Sequence, residues 1–564
     1  MENLGRELKE LPARRGFSIV YCGKTLLSRF DPVAQGERLA ADFPMEERTL
    51  YFCPSPLYGY GLSLLLEKLP PDSAVLCAEA DEKLFEISKK SLNDYLSLPS
   101  GGRGNNAAPL ALVPASDPET ICAFVQKTWG SRTFRRVKTL RLSGGWQLFP
   151  ALYDNIETAL RRELAVEWGN AMTMIRLGRL YAKNLIRNLA LIPKSERISA
   201  LDFSSSPQLV LGAGPSIDPF LEELSGFWKK EKTTPERRRF RIVCVDTCLP
   251  CLIERGIIPD LVVILESQHW NLGDFTGFNG MDIDTAIDLS ALPASAAVLG
   301  GKRYLYATPW TRLALFSRLK EEGLLAETFE PMCSVGLTAV AVALRAGSGP
   351  VFTTGIDFSF TADAYHARST PGHSALTRRS NRLRSIINAA AAFRDGSFST
   401  LSKTGKSVRS DPAMRNYRNL FEQEFGGNER LYDIAGSGLP LGVKTVSPAE
   451  ALALLNGAEL SVSNRTSGDV SRVLHLREKI IGFVRLEMES LETLRQMLTG
   501  AAAAETARLE ELLDRADYLW AHFPECAGAG GRRPPASELS FLKRVRIEIE
   551  PFLKLWEMTL RELE

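Results

Sequence analysis

The chain has 564 residues, enough for about two to four domains. Its 45% hydrophobic and 24% charged residues give the balance of a soluble globular protein. A net charge of +2 is too small to point to nucleic acid or a membrane surface, and nine scattered cysteines without regular spacing exclude a disulfide framework.

The opening Met1-Glu-Asn-Leu-Gly-Arg6 is charged and has no apolar core of a leader. No window of ~18 apolar residues exists, so no membrane span and a cytoplasmic location are expected. Residues 1–110 read as a small N-terminal α/β domain. Thr49–Cys53 is a strand, Tyr58-Gly-Tyr-Gly61 a turn, Leu62–Leu69 a helix, and Ala74–Glu79 a second strand ending at Glu79-Ala-Asp81. That order resembles the nucleotide-binding half of a methyltransferase, in which Glu79 would meet a ribose. One strand–turn–helix is a weak signal, and a structural role for Glu79 is the favoured reading. Pro99–Asn106 is a loop rich in Gly and Asn. Residues 111–206 read as a helical connecting segment, with helical patterns over Pro118–Trp129 and Tyr153–Asn188, the latter containing Trp168-Gly-Asn170.

The stretch Leu209-Val-Leu-Gly-Ala-Gly-Pro-Ser-Ile-Asp218 carries the most information. Leu209–Leu211 is a buried strand, Gly212 and Gly214 make a tight turn, and a helix opens at Pro215. Unpaired N–H groups and the helix dipole favour an anion there. A nucleotide-bearing substrate is expected, with Gly212, Gly214, Pro215 and Ser216 at its phosphate. The pattern is G-x-G-P-S, a poor match to a G-x-G-x-x-G dehydrogenase or to a P-loop with its Gly-Lys-Ser/Thr.

Strands and helices then alternate through residues 207–445. Arg241–Asp246 is a strand. Leu249–Arg255 is a helix closed by Gly256. Asp260–Leu265 is a strand ending at Glu266-Ser-Gln268. Val298–Gly300 and Tyr304–Tyr306 read as short strands, Leu337–Arg345 as a helix, and Pro350–Thr354 as a strand ending at Gly355-Ile-Asp357. Such alternation implies a Rossmann-like, mainly parallel sheet with helices on both faces. Ligands then sit beyond the C-terminal strand ends, which supply Gly212, Asp246, Glu266 and Asp357. Cys244, Cys248 and Cys251 approach a metal pattern, but no fourth thiol or histidine is near, so free thiols and no metal are expected. Residues 446–564 form a C-terminal helical domain, with Val470–Leu498, Ala501–Trp520, a break at Gly528–Pro535 and a helix from Glu538 to Leu563. It reads as a cap on the sheet domain or a docking surface for a protein acceptor, which amphipathicity does not separate.

Gly-Ala-Gly-Pro-Ser216, Val245-Asp-Thr247, Gly256-Ile-Ile-Pro-Asp-Leu-Val-Val263, Met332-Cys-Ser-Val-Gly-Leu-Thr338 and Thr354-Gly-Ile-Asp-Phe-Ser-Phe-Thr-Ala-Asp-Ala-Tyr-His-Ala367 together resemble the motility-associated factor (Maf) family of flagellin glycosyltransferases. That family's catalytic domain is similar to bacterial sialyltransferases with a G-x-G-P-S turn and a G-I-D-F segment. The resemblance implies transfer, with inversion, of a nonulosonic acid such as pseudaminic or legionaminic acid. The donor is a CMP-activated sugar and the acceptor a Ser or Thr hydroxyl of flagellin. No cofactor or metal is required.

Backbone N–H groups at Gly214–Ser216 and around Ser334–Gly336 would meet the departing phosphate. Of the sialyltransferases' two phosphate-holding tyrosines, Tyr365 matches the second and Ser359 stands at the first. Asp246, with Thr247 beside it, and Glu266 stand at donor-binding positions, and Gly355 closes the neighbouring strand. For the general base, His366 is joined by His373, His269 and Asp357. Asp357 can equally cap the following turn. The sialyltransferase base histidine lies further downstream, where this chain has none. Archaeal pterin pyrophosphokinases share the glycine turn, but their acidic cluster is here Ile264-Leu-Glu-Ser-Gln268, with one acid, and a Mg²⁺ site wants several oxygen ligands. A third reading is a non-catalytic flagellin-binding assembly factor acting through its helices. A homo-oligomer is compatible with all three.

Overall fold

Near-continuous apolar runs form strands that are buried on both faces, the signature of a parallel sheet. A computed structural model describes residues 8–96, 108–130, 133–231, 237–310, 313–325, 327–332, 334–361, 364–386, 396–458, 461–462, 470–500, 506–528 and 533–564. The Pro99–Asn106 loop, Cys333, the start of the 501–520 helix and residues 529–532 of the 528–535 break lie outside them. By internal contacts the chain divides into two units, residues 1–178 with 521–534, and 179–520 with 535–564.

The second unit holds a nine-stranded sheet. Its strands are β1 (Glu196–Arg197), β2 (Gln208–Leu211), β3 (Arg241–Val245), β4 (Leu261–Ile264), β5 (Asp284–Asp288), β6 (Arg303–Tyr306), β7 (Val351–Thr354), β8 (Leu431–Ile434) and β9 (Lys444–Val446). Their order is β9-β8-β7-β2-β3-β4-β5-β6-β1, and each adjacent pair is parallel. The register sets Leu211 beside both Thr354 and Cys244. The residues that follow β7, β2 and β3 therefore emerge on one edge. From β2 the chain runs outward to β6, then returns to lay β7 on the other side of β2. That reversal is a topological switch point, where open α/β sheets bind ligands. The Val335–Ala346 helix, built largely of Ala, Val and Gly, is buried along most of its length against β2, β3, β4 and β7.

The Rossmann-like reading agrees with this sheet, with one correction. Val298–Gly300 is not a strand. A short helix, Pro293–Ala296, ends there, and Val298 N–H closes back on the Ser295 carbonyl at 3.3 Å.

The C-terminal helices Val470–Thr499, Thr506–Arg515 and Leu539–Leu563 belong to the same unit. Glu487 anchors them. It is 1% exposed and accepts from Arg318 at 2.9 and 3.0 Å, Arg515 at 2.8 Å and the Tyr518 hydroxyl at 3.3 Å. Asp517 accepts the Ala314 N–H at the start of the Ala314–Glu321 helix, 2.6 Å away.

The first unit carries a four-stranded parallel sheet ordered Leu110–Pro114, Ala74–Glu79, Thr49–Pro54, Arg136–Thr139. Two of these strands lie at or beyond residue 110, so the N-terminal unit is larger than 1–110 and the 111–206 segment is not wholly helical. Glu79 is buried, and its oxygens are taken by the Ser55 hydroxyl at 2.6 Å, Ala80 N–H at 2.9 Å and the Tyr153 hydroxyl at 3.1 Å. It ties strand to helix and offers nothing to a ribose. Trp168 donates to the Phe134 carbonyl at 2.6 Å, and the guanidiniums of Arg48 and Arg135 lie 5.0 and 5.1 Å from its ring. No helix among the described residues is long and apolar enough to cross a membrane, and the described cysteines are free thiols.

Candidate functional site

The glycine turn is closed from within. Gly212 N–H donates to the Thr354 carbonyl at 2.9 Å and Gly214 N–H to the Gly355 carbonyl at 2.8 Å. Ser216 N–H donates to Asp357 Oδ2 at 2.8 Å, and its hydroxyl donates to Asp357 Oδ1. Gly355 N–H completes the loop by donating to Ser216 Oγ at 3.2 Å. The anion at this turn is the protein's own carboxylate, delivered from the end of β7. The three N–H groups expected to cradle a phosphate are therefore engaged, and Pro215 has none. Two glycines make the approach feasible. A Cβ on Gly214 would stand 2.5 Å from Asp357 Oδ2, and Gly355 has φ +74° with its would-be Cβ 2.1 Å from Ile217 Cγ2.

Asp357 is buried, and burial pushes its pKa up against the pull of the Ser216 hydrogen bonds. With both oxygens on Ser216, it caps the turn and locks two strand ends together. Ser359 is also buried and donates to the Ser437 carbonyl at 3.3 Å.

The chain then returns to the turn. Ala367 N–H donates to the Ala213 carbonyl at 2.9 Å, and Arg368 N–H to both oxygens of Asp218 at 3.2 Å. Tyr365 packs between Phe360 and His366, with ring centroids 5.2 and 4.9 Å apart. Burial pushes the His366 pKa down, only partly opposed by its hydrogen bond to the Ala213 backbone, so the ring is neutral at pH 7. The Pro371–Arg379 helix starts against it: a Cβ on Gly372 would stand 3.8 Å from His366 Cδ2. His373 lies in that helix's first turn, its N–H capped by Thr370 Oγ1. Ser334 stands at the N-cap position of the Val335–Ala346 helix without a side-chain capping bond, and a Cβ on Gly336 would touch Ile356 at 3.6 Å. The structure thus gathers Gly212–Ser216, Ser334–Gly336, Gly355–Phe360 and Tyr365–His366.

A second cluster lies one strand further along the same edge, where adjacent strands are about 4.8 Å apart. Asp246, 2% exposed, accepts from Thr247 N–H at 2.8 Å and Asn271 Nδ2 at 2.7 Å. Asp274 Oδ2 shares the same donors, Thr247 Oγ1 and Asn271 Nδ2, each at 3.3 Å. Burial pushes Asp246 up to about 6, and burial together with the Asp246 charge pushes Asp274 up to about 7. Glu266, whose Oε1 accepts Gln268 N–H at 2.9 Å, adds repulsion to both. Asn271 Oδ1 is buried and has no hydrogen-bond partner among the described residues. The residues between are open: Trp270 is 71% exposed and stacks on His269 with centroids 4.0 Å apart.

Two asparagines hold this edge in place. Asn184 Nδ2 donates to the carbonyls of Ser267 and Ser290, and Asn188 Nδ2 to those of Leu289 and Ala291, at 2.8 to 3.0 Å. Asp274, Asn271, Asn184 and Asn188 were not among the residues singled out from sequence. Asn184 and Asn188, four apart among apolar residues, were the available signal for two of them. Among the described residues no three His, Cys, Asp or Glu side chains are arranged to hold a metal ion.

Residues 183–363 match the family model "6-hydroxymethylpterin diphosphokinase MptE-like". An uncharacterized protein of Treponema pallidum (strain Nichols) is 29% identical over 573 residues, covering 97% of this chain and 94% of that protein. Among solved structures, the MAf glycosyltransferase from Magnetospirillum magneticum AMB-1 is similar at a TM-score of 0.57 and 14% identity, over 99% of this chain and 93% of that one. The chain shares the fold of that glycosyltransferase from end to end.

Proposed function

We propose that the protein is a glycosyltransferase that moves a sugar from a nucleotide-activated donor to a hydroxyl acceptor. The observation that carries this reading is the acceptor-rich cluster of Asp246, Asp274 and the unpaired Asn271 Oδ1 at the C-terminal edge of the sheet. Sugars and riboses present hydroxyl donors, and buried carboxylate and amide oxygens receive them. The fold shared with a MAf glycosyltransferase supports it. In its finer form the donor is a CMP-activated nonulosonic acid and the acceptor a Ser or Thr of flagellin, as the sequence resemblance implies.

The acceptor oxygen bonds to the anomeric carbon, the bond from that carbon to the phosphate oxygen breaks, and CMP leaves with the electron pair. His366, neutral near pH 7, takes the acceptor proton. The engaged glycine turn leaves the departing phosphate to the start of the Val335–Ala346 helix and the Tyr365 hydroxyl.

The test is co-expression with a flagellin and a nonulosonic acid pathway, read by intact flagellin mass; an unchanged mass sinks the proposal. The MptE-like match favours a second reading, diphosphate transfer from ATP. Calorimetry separates the two: CMP binding supports the transferase, and ATP binding with Mg²⁺ supports the kinase.

A further inference from the structure

Between residues 364 and 410 the sequence has nine Lys or Arg and a single acid, Asp395. Some of these cations serve the fold. Lys403 holds buried Asp433 at 2.6 Å, and Arg409 bonds Ser397. Arg378, Arg379, Arg382 and Arg384 do not: all four are exposed, and none makes an ion pair among the described residues. By contrast, the exposed helical Arg495 pairs with Glu492 and Arg508 with Glu511, each three residues away. The Pro371–Arg379 helix has no buried residue, so no core face explains its presence.

The turn that follows is built rather than loose. Asn381 Oδ1 accepts the N–H groups of Leu383 and Arg384, each at 2.9 Å, and Asn381 N–H donates to the Arg384 carbonyl at 2.9 Å. This fixes a tip on which Leu383 stands 92% exposed between two guanidiniums. A backbone held this way loses little further entropy on binding. The helix starts beside His366, and at 1.5 Å per residue its length sets Arg378 and Arg379 roughly 10 Å further along. That distance from His366 suits the surface around an acceptor hydroxyl.

We propose that Arg378, Arg379, Arg382, Leu383 and Arg384 form the docking surface for an acidic segment of a protein acceptor. The inference rests on the transferase reading of the neighbouring site. Four unneutralised guanidiniums call for carboxylates, and Leu383 supplies the apolar contact. The absence of an aromatic among residues 376–386 favours a peptide over bases that would stack.

The test uses the full chain and a fluorescein-labelled Glu/Ser peptide carrying one Leu, with a Lys/Ser peptide of equal length as control, read by anisotropy. The Glu/Ser peptide is expected to bind, and its affinity to fall about tenfold or more in the Arg378→Glu/Arg379→Glu/Arg382→Glu/Arg384→Glu variant and on raising salt. A variant with Lys at the same four positions should keep most of the binding. Equal affinity in wild type and charge-reversed variant overturns the proposal. So does tighter binding of an oligonucleotide or of phosphatidylserine vesicles, or self-association through this face that the reversal abolishes. CMP binding must survive the reversal, which shows an intact site. Loss of CMP binding in the wild type itself would count against the transferase reading and not against the docking surface.

Discussion

Asp274→Asn is expected to stabilise the protein at pH 8 and not at pH 5. The folded pKa of Asp274 is raised to about 7, by burial first and then by Asp246, against an unfolded value of about 3.9. A raised carboxyl pKa means the folded state holds its proton more tightly. The penalty is therefore absent below the unfolded value, grows between about pH 4 and 7, and is complete above it, so stability falls as pH rises. Three units at about 1.4 kcal/mol each set a ceiling of about 4 kcal/mol. Asp246 titrates with it, and the side chain keeps some solvent, which brings the recoverable part to about 2–3 kcal/mol. Asparagine retains one oxygen for the donors Thr247 and Asn271, at a cost of about 0.5–1.5 kcal/mol. The net gain at pH 8 is about 1–2 kcal/mol, with a small net loss at pH 5. Urea unfolding at the two pH values measures both. The same change at both, or destabilisation at pH 8, would refute the charge pairing. Under the proposed function this carboxylate pair meets the donor, so the stabilised variant should bind CMP more weakly.

Other consequences are equally direct. Gly355→Ala forces a Cβ onto Ile217 in a left-handed backbone and should cost about 2–4 kcal/mol, whereas Gly427→Ala, with positive φ but open space, should cost about 1 kcal/mol; urea midpoints compare them. Glu487→Gln leaves Arg318 and Arg515 without their buried carboxylate, an expected loss of about 3–5 kcal/mol visible as early unfolding of the second unit by hydrogen exchange. His366→Ala should lower turnover while sparing CMP binding. In the wild type the acid limb of turnover should fall below the ordinary histidine value of about 6.5, because a depressed pKa keeps the base neutral further into acid; a limb above it would remove His366 as the base.

How far each feature was legible depends on the range of the interactions behind it. Strands β2, β3, β4 and β7 are apolar runs buried on both faces, and each announced itself locally. Val298–Gly300 did not, because an apolar pair before glycine fits a strand end and a helix exit equally well. The N-terminal sheet was undercounted because its last strand, Arg136–Thr139, follows a helix and alternates charged with apolar residues. Within the site, the turn was visible but its occupant was not, since Asp357 lies 141 residues from Ser216. Asp274 and Asn271 looked like ordinary polar residues of a loop until the fold set them against Asp246.

The sequence by itself determined the alternation of strand and helix, the sheet class and the edge from which Gly212, Asp246, Glu266 and Asp357 emerge. Periodicity, glycine turns and helix starts are properties of neighbouring residues. Only the tertiary structure decided what those strand ends do to one another. Asp357 spends its charge on the glycine turn, Asp246 and Asp274 share two donors, and four arginines make no ion pair among the described residues. Electrostatics and hydrogen bonding depend on distance in space, and the chain's own order does not encode that distance.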